Sequence, residues 1–391
     1  MNILIVEDAR DQRMMLSVVL KKKGHKVLEA KDGLQALEVL KEHPEVRIII
    51  SDWMMPEMDG IALCQSIRKS DLGRYIYFIL LTGKTEHEAV VQGIEQGADD
   101  FLTKPVNFDE LDARLKAGIR IIELEQALEQ KIRIIEKDLE SAAATQEGLL
   151  SKPARIQHVD FNRFFKPSRI LGGDMFGYQA VDGENISFYQ LDVAGHGIPS
   201  ALFSFSLNNI LSETGSSGSL TKDALKEAPF YRVRQPDEVL VSLNKRFQAT
   251  PEAMLYFTIA YGLINSRTGV ITLAQAGHPP PLWLKHNKNM VEPVNSQGGV
   301  PIGMMPDMSY ESVNIQLQPG DRLLVYSDGV TECENPEGEQ FGEDRLISVL
   351  EQGFNDEIQA LTDRIESSIT RWNRGDSFED DVTYLVLEWK P

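Results

Sequence analysis

Short β-branched and aliphatic runs alternate with amphipathic stretches over the first part of the chain. "NILIV" (2–6) is followed by "DQRMMLSVVLKK" (11–22), "KVLEA" (26–30) by "LQALEVLKE" (34–42), and "RIIIS" (47–51) by "GIALCQSIRK" (60–69). "YIYFILLT" (75–82), "HEAVVQGIEQG" (87–97) and "DDFLTK" (99–104) continue the alternation. A strand-then-helix rhythm at this spacing predicts βαβ units, hence a parallel sheet covered on both faces, a doubly wound α/β domain of the flavodoxin-like kind over residues 1–118.

From about 107 to 147 the helical period runs on without a break. Ile121, Leu128, Ile135 and Ala142 recur every seven residues, with Ile132 and Leu139 four after Leu128 and Ile135, which outlines an a/d seam interrupted by Glu125. The pattern predicts a helical coiled-coil linker, residues 119–154, that joins two domains and pairs two chains. A single amphipathic helix lying on its own domain is the alternative.

After "GLLSKPAR" (148–155) the pattern changes to strand-like runs bounded by turns: "ISFYQLDV", "YFTIAYGLIN", "VITLAQAG", "DRLLVYSDG" and "DVTYLVLEW". Helical stretches near 199–212 and 357–372 sit among them, so residues 155–391 read as a layered α+β domain. "SETGSSGSLTK" (212–222) reads as a mobile Gly/Ser loop.

Composition narrows the function classes. The 391 residues carry a formal net charge of −19, which disfavours nucleic acid and anionic membrane surfaces, both of which reward Lys/Arg patches. "MNILIVEDAR" lacks a basic stretch ahead of a long apolar run, and no uncharged apolar segment reaches about 18 residues, so a soluble, cytoplasmic protein is expected. The two cysteines, Cys64 and Cys333, lie far apart without CxxC spacing and read as core filler.

Ligands of an open parallel sheet bind beyond the carboxyl ends of its strands. Strand one ends in Glu7 and Asp8, strand three in Asp52, strand four in Thr82, and strand five in Lys104 and Pro105. Three carboxylates suit a hard cation such as Mg²⁺, while a hydroxyl and an ammonium suit phosphoryl oxygens. Each residue alone has a structural explanation, such as Asp8 capping the next helix, but five at the right strand ends do not. "VED", "SDWMMPEMDG", "LLTGK" and "ADDFLTKP" resemble the receiver domain of two-component response regulators over roughly residues 1–120. The resemblance implies that Asp52 accepts a phosphoryl group from a histidine kinase. It further implies Mg²⁺ on Glu7, Asp8 and Asp52, Thr82 and Lys104 on the phosphoryl group, and Phe101 as the aromatic switch residue.

The second half repeats one device, an aspartate at the end of an apolar strand among small residues: Asp174 in "LGGDMFGY", Asp192 in "YQLDVAGHG", Asp328 in "LLVYSDGVTE", and Asp380 with Asp381 in "FEDDVTYLV". Such an all-carboxylate set favours Mg²⁺ or Mn²⁺ over zinc, and two ions some ~4 Å apart would clamp a phosphate. Together with "AGHPPPLW", "GVPIGM" and "DDVT", these motifs resemble the metal-dependent protein phosphatase 2C (PPM) superfamily, in the bacterial branch that includes SpoIIE, from about 160 to 389. The resemblance implies a β-sandwich flanked by helices. Asp174, Asp192, the Val193 carbonyl, Asp328 and Asp380 would surround two Mn²⁺ or Mg²⁺ ions, with Asp192 and Asp328 central to hydrolysis of phosphoserine or phosphothreonine.

Many relatives have a second Asp where this chain has Gly177, which raises the question of a weakened metal site. His196 and His278 are candidate proton-exchanging groups in turns. The combined expectation is a response regulator whose output is a Ser/Thr phosphatase acting on a phosphorylated STAS-type anti-sigma-factor antagonist, as a homodimer through 107–147 and without contact to nucleic acid or membrane. The rival is a non-enzymatic adaptor whose phosphatase-like domain binds a regulatory protein under receiver control. A DNA-binding regulator lacks a basic recognition helix.

Overall fold

The computed structural model describes residues 1–70, 72–83, 96–213, 219–228, 230–248, 256–296, 298–375 and 377–391. The chain divides into two units, Met1–Glu136 and Lys137–Pro391. No helix among the described residues is long and apolar enough to cross a membrane.

The first unit is built on a five-stranded parallel sheet of order β2-β1-β3-β4-β5, formed by β1 (Asn2–Val6), β2 (Lys26–Ala30), β3 (Val46–Asp52), β4 (Tyr77–Thr82) and β5 (Asp100–Thr103). The inner strands are apolar on both faces because helices cover both. Leu4, Val6 and Ile49 pack with Ala36, Leu63 and Cys64 of α2 (Gly33–Glu42) and α3 (Gly60–Lys69). Ile3, Ile5, Ile48 and Ile50 face the other way, onto Leu16 and Leu20 of α1 (Arg10–Lys22) and Leu111 and Leu115 of α4 (Phe108–Leu149). The strand period of two thus divides one run of isoleucines between two cores. Asp32 and Asp59 cap α2 and α3 by accepting from the backbone of Gln35 and Ala62. The helix expected over 87–97 lies largely outside the described residues, as does the centre of the expected Gly/Ser loop.

Helix α4 is continuous for 42 residues, starting in the first unit and ending in the second. Ile121, Leu124, Leu128, Ile132, Ile134 and Ile135 are exposed on it, so within one chain most of the apolar seam stays uncovered.

Beside a separate two-stranded sheet, β10 (Lys222–Ala224) with β11 (Tyr231–Val233), the second unit stacks two antiparallel sheets. One has the order β16-β13-β12-β9-β8, from β8 (Met175–Ala180), β9 (Asn185–Val193), β12 (Phe257–Asn265), β13 (Val270–Ala276) and β16 (Ser312–Gln316). The other has the order β15-β14-β17-β18-β7-β6, from β6 (Ala154–Ile156), β7 (Val159–Lys166), β14 (Leu282–Lys285), β15 (Met290–Pro293), β17 (Arg322–Tyr326) and β18 (Val382–Trp389). Alternation again assigns the faces: Leu323, Val325, Leu385 and Leu387 point into the core between the sheets. Leu324, Tyr326, Tyr384 and Val386 join the outer cluster under the helices Gly342–Gln352 and Ile358–Asn373. Helices α5 (Ile198–Leu211) and α6 (Pro236–Arg246) contribute Leu207, Leu211, Val239, Leu240 and Leu243 to the main core.

The expected helices near 199–212 and 357–372 are found at 198–211 and 358–373. Sequence reading passed over α6 and 342–352, although α6 announces itself with Pro236 in its first turn and a Gln235–Glu238 capping box. Its apolar positions are few and flanked by strand-like runs, which hid the period. Cys64 and Cys333 are both free and buried, with their thiols pushed up to about 11 by burial.

Candidate functional site

In the first unit the strand ends place their polar side chains at one edge of the sheet. Carboxylate oxygens of Glu7, Asp8 and Asp52 lie within 4.8 Å of one another, a separation one divalent cation can span. Lys104 enters the same group, its Nζ 2.8 Å from Glu7 Oε2 and 2.9 Å from Asp52 Oδ1. Burial, together with the neighbouring Asp52 charge, raises the Glu7 pKa against the pull of Lys104. Burial pulls that of Lys104 down, but its bonds to Glu7 and Asp52 outweigh this and raise it. Asp52 Oδ1 also accepts from the Trp53 backbone at 2.8 Å. Thr82 is buried at the end of β4. Asp8 does not cap α1, whose N-cap is Ala9 without a side-chain bond, so that structural explanation for the residue falls away. Phe101 is partly buried, with the Arg114 guanidinium of α4 5.7 Å from its ring centre and bonded to Asp100 at 2.6 Å.

In the second unit Asp174 precedes β8, Asp192 stands near the end of β9, and Asp328 and Asp380 flank the adjacent ends of β17 and β18. Asp174 is 1% exposed and its Oδ2 has no hydrogen-bond partner among the described residues. Burial and the charges of Asp192 and Asp381 raise its pKa well above the ordinary value, and the hydroxyls of Thr383 and Ser327 offset part of this. Asp192 is pushed up to about 8 by burial and by Asp328, Asp380 and Asp381. Asp328 and Asp380 are also raised, first by burial and then by the neighbouring carboxylates. Asp192 thus links the set, opposed on one side by Asp328 and Asp380 and itself opposing Asp174, although among the described residues only Glu7, Asp8 and Asp52 bring three carboxylate oxygens within 4.8 Å of one another. An unpartnered buried oxygen amid mutually repelling carboxylates fits divalent cations.

The Val193 carbonyl borders the same turn. A Cβ at Gly173 would come within 2.9 Å of it, so glycine there keeps the oxygen accessible. Asp381 proves to be the clamp of this turn: its Oδ2 accepts from Gly173 N at 2.6 Å, and its Oδ1 from Ser168 N at 2.8 Å and Ser168 Oγ at 3.0 Å. Sequence reading paired it with Asp380 but gave it no part of its own. Gln190 was missed altogether. It is fully buried and donates to the Thr383 carbonyl at 2.9 Å, tying β9 to β18 beneath the carboxylates.

Gly177 has a local explanation. It pairs with Tyr189 across β8 and β9, and a Cβ would lie 2.7 Å from the Tyr189 hydroxyl. The buried phenol, bonded to Asn208, fills the space a larger residue would need. Asp174 lies three residues earlier, in the turn that precedes β8, whereas position 177 lies within the strand. His278 does not suit proton exchange. It is buried, bonded through Nδ1 to Thr258 at 2.8 Å, and desolvation drops its pKa to about 3, which keeps the ring neutral. His196 is exposed and near enough to Asp380 to pull that carboxyl's pKa down.

A family profile described as "Stage II sporulation protein E (SpoIIE)" matches residues 182–390, more than half of the chain. The chain belongs to the SpoIIE family. The profile "Response regulator receiver domain" matches residues 3–116, so a receiver domain is joined to the SpoIIE phosphatase-type domain. Among similar proteins, "Phosphoserine phosphatase RsbP" of Bacillus subtilis (strain 168) is 27% identical over 254 residues, which is 65% of this chain and 58% of that protein. "Phosphoserine phosphatase RsbU" of the same organism is 28% identical over 257 residues, 66% of this chain and 71% of that one. The chain thus spans 58% of the length of the first of these relatives. The solved SiaA-PP2C domain of Pseudomonas aeruginosa superposes with a TM-score of 0.54 at 17% identity, over 66% of this chain and 99% of that one, which shows a common fold.

Proposed function

We propose that this SpoIIE-family chain is a metal-dependent protein serine/threonine phosphatase governed by phosphorylation of Asp52, with a histidine kinase as phosphodonor. The observation that carries the reading is the buried Asp174 carboxylate, whose Oδ2 has no hydrogen-bond partner among the described residues, beside Asp192, which in turn feels the charges of Asp328 and Asp380. The names of the relatives RsbP and RsbU support phosphoserine as the substrate class.

Asp174, Asp192, Asp328, Asp380 and the Val193 carbonyl would hold two Mn²⁺ or Mg²⁺ ions. Such ions supply charge neutralisation for the phosphate and an activated water for in-line attack. The protein's own part is to hold the carboxylates together through the Asp381 clamp and the Gln190 tie. His196, exposed beside Asp380, is available to protonate the departing serine or threonine oxygen. In the receiver, Glu7, Asp8 and Asp52 would hold Mg²⁺, and Lys104 with Thr82 would take the phosphoryl oxygens once Asp52 is modified.

The substrate we favour is a phosphorylated STAS-type anti-sigma-factor antagonist, and the exposed seam of α4 favours a homodimer paired along that helix. Phosphorylation would alter that pairing and thereby the phosphatase unit. The test is Mn²⁺-dependent hydrolysis of a phosphoserine protein by the full chain, with and without beryllofluoride at Asp52. Metal-dependent turnover that changes with beryllofluoride supports the proposal. Folded protein without turnover on any phosphoprotein tried would leave the adaptor reading.

A further inference from the structure

We infer that Gln146, in the last turns of α4, is a positioning residue for the turn that carries Asp174. The inference rests on the phosphatase reading above.

Gln146 is 1% exposed, whereas Thr145 and Glu147 on either side are exposed. Its amide uses both ends on a single residue: Nε2 donates to the Gly172 carbonyl at 2.8 Å, and Oε1 accepts from the Gly172 N–H at 3.3 Å. On the other side of the turn stands Asp381, whose Oδ2 would lie 2.6 Å from a Cβ at position 172 and accepts from Gly173 N and Asp174 N at 2.6 and 3.4 Å. The three successive backbone N–H groups leading to Asp174 are therefore held by two side chains. One belongs to the carboxylate cluster, the other to the helix that begins in the receiver unit.

The end of α4 has other anchors. Glu147 pairs with Arg163 at 2.5 Å, Leu150 is buried in the core, and Ser151 accepts from the Tyr178 backbone at 3.4 Å. Among these anchors only Gln146 touches residues 172–174. A helix rises about 1.5 Å per residue, so a slide of one residue or a modest rotation would carry the amide out of hydrogen-bonding range of Gly172. The 172–174 turn would then keep only its Asp381 side, and Asp174 would lose a fixed direction relative to Asp192. Outer residues that orient ligands in this way help set how tightly the ion is held.

The experiment titrates Mn²⁺ into the full-length protein by calorimetry and, in parallel, follows p-nitrophenyl phosphate hydrolysis. It compares the wild type with Gln146→Ala, Gln146→Leu and Glu147→Ala, with folding checked by thermal melting. Gln146→Ala is expected to need about tenfold more Mn²⁺ for half-saturation, with kcat at saturating Mn²⁺ within a few-fold of wild type. Glu147→Ala should bind Mn²⁺ like wild type. If Gln146→Ala does not fold, Gln146→Leu takes its place, since it fills nearly the same volume without charge and loses both bonds to Gly172; it should show a shift of similar size in the same direction. Mn²⁺ half-saturation within twofold of wild type in the folded Gln146 variant, or an equal shift in Glu147→Ala, overturns the inference. A wild type that binds Mn²⁺ but hydrolyses nothing refutes the phosphatase reading, while the positioning claim is still decided by calorimetry.

Discussion

The two acidic clusters handle the same electrostatic difficulty in opposite ways. In the receiver, Glu7 and Asp52 share an ammonium, Lys104, that lies within 2.9 Å of both. The cluster carries its own counter-charge and is assembled before any ion arrives. In the phosphatase unit Asp192 raises the pKa of Asp174 and is itself raised by Asp328 and Asp380, and among the described residues the basic group acting on the set is His196, beside Asp380. That cluster needs cations or protons to be stable. On the function proposed above, a phosphoacceptor site would have to leave Asp52 available to react, and a lysine able to shift to the phosphoryl group would permit this. A two-ion site has to reserve its oxygens for the ions, and a resident lysine would compete with them.

The sharpest way to break this contrast is to remove one member of the unshielded cluster. Asp328→Ala should lower Mn²⁺-dependent hydrolysis on the order of 100-fold or more while leaving beryllofluoride binding at Asp52 unchanged. Equal activity would mean that the four carboxylates do not act together. Next in size, Lys104→Met removes the internal counter-charge of the receiver. The change should cost the Mg²⁺-free receiver roughly 1.5–3 kcal/mol of stability, the range for hydrogen bonds to charged groups, with Mg²⁺ restoring part of it. Thermal unfolding with and without Mg²⁺ reads this directly, and a variant as stable as wild type in the absence of Mg²⁺ would show that Lys104 is not the counter-charge.

Gly177→Asp tests whether position 177 belongs to the metal cluster. Crowding against the buried Tyr189 should destabilise the phosphatase unit by about 1–3 kcal/mol, as for other overpacked sites, with no gain in Mn²⁺ affinity. Tighter Mn²⁺ binding in this variant would place residue 177 in the metal site after all.

The smallest expected effect is in pH. The Asp192 carboxyl titrates at about 8 in the fold against an ordinary value of 3.8. A raised carboxyl stabilises the fold while protonated, fully below the unfolded value, and this contribution is lost as pH climbs toward the folded one. The metal-free phosphatase unit should therefore melt lower at pH 8 than at pH 5, by about 2–4 °C for each kcal/mol involved. Mn²⁺ should erase the difference, because its ligands are deprotonated at both values. The receiver should show a weaker slope of the same sign, because Lys104 offsets part of the rise at Glu7, and equal slopes in both units would dissolve the contrast.

Much of this was legible in the sequence. The alternating runs gave the parallel sheet, because strands buried on both faces and helices with one apolar face have distinct periods. Strand-end carboxylates singled out the candidate residues of both sites, because a strand's end can be read from where its apolar run stops. Helix α4 appeared at nearly its full length, since its heptads are local. Helix α6 was hidden because its few apolar positions are read correctly only against the sheet they cover. What the tertiary structure alone decided concerns pairs distant in the chain. Tyr189 accounts for Gly177, Asp381 clamps residues 168–174 from some two hundred positions away, Gln190 reaches Thr383, and His278 is neutral in the core. A residue type reports its own chemistry, but desolvation and partnership depend on which strand ends the fold brings together, and no local pattern encodes that.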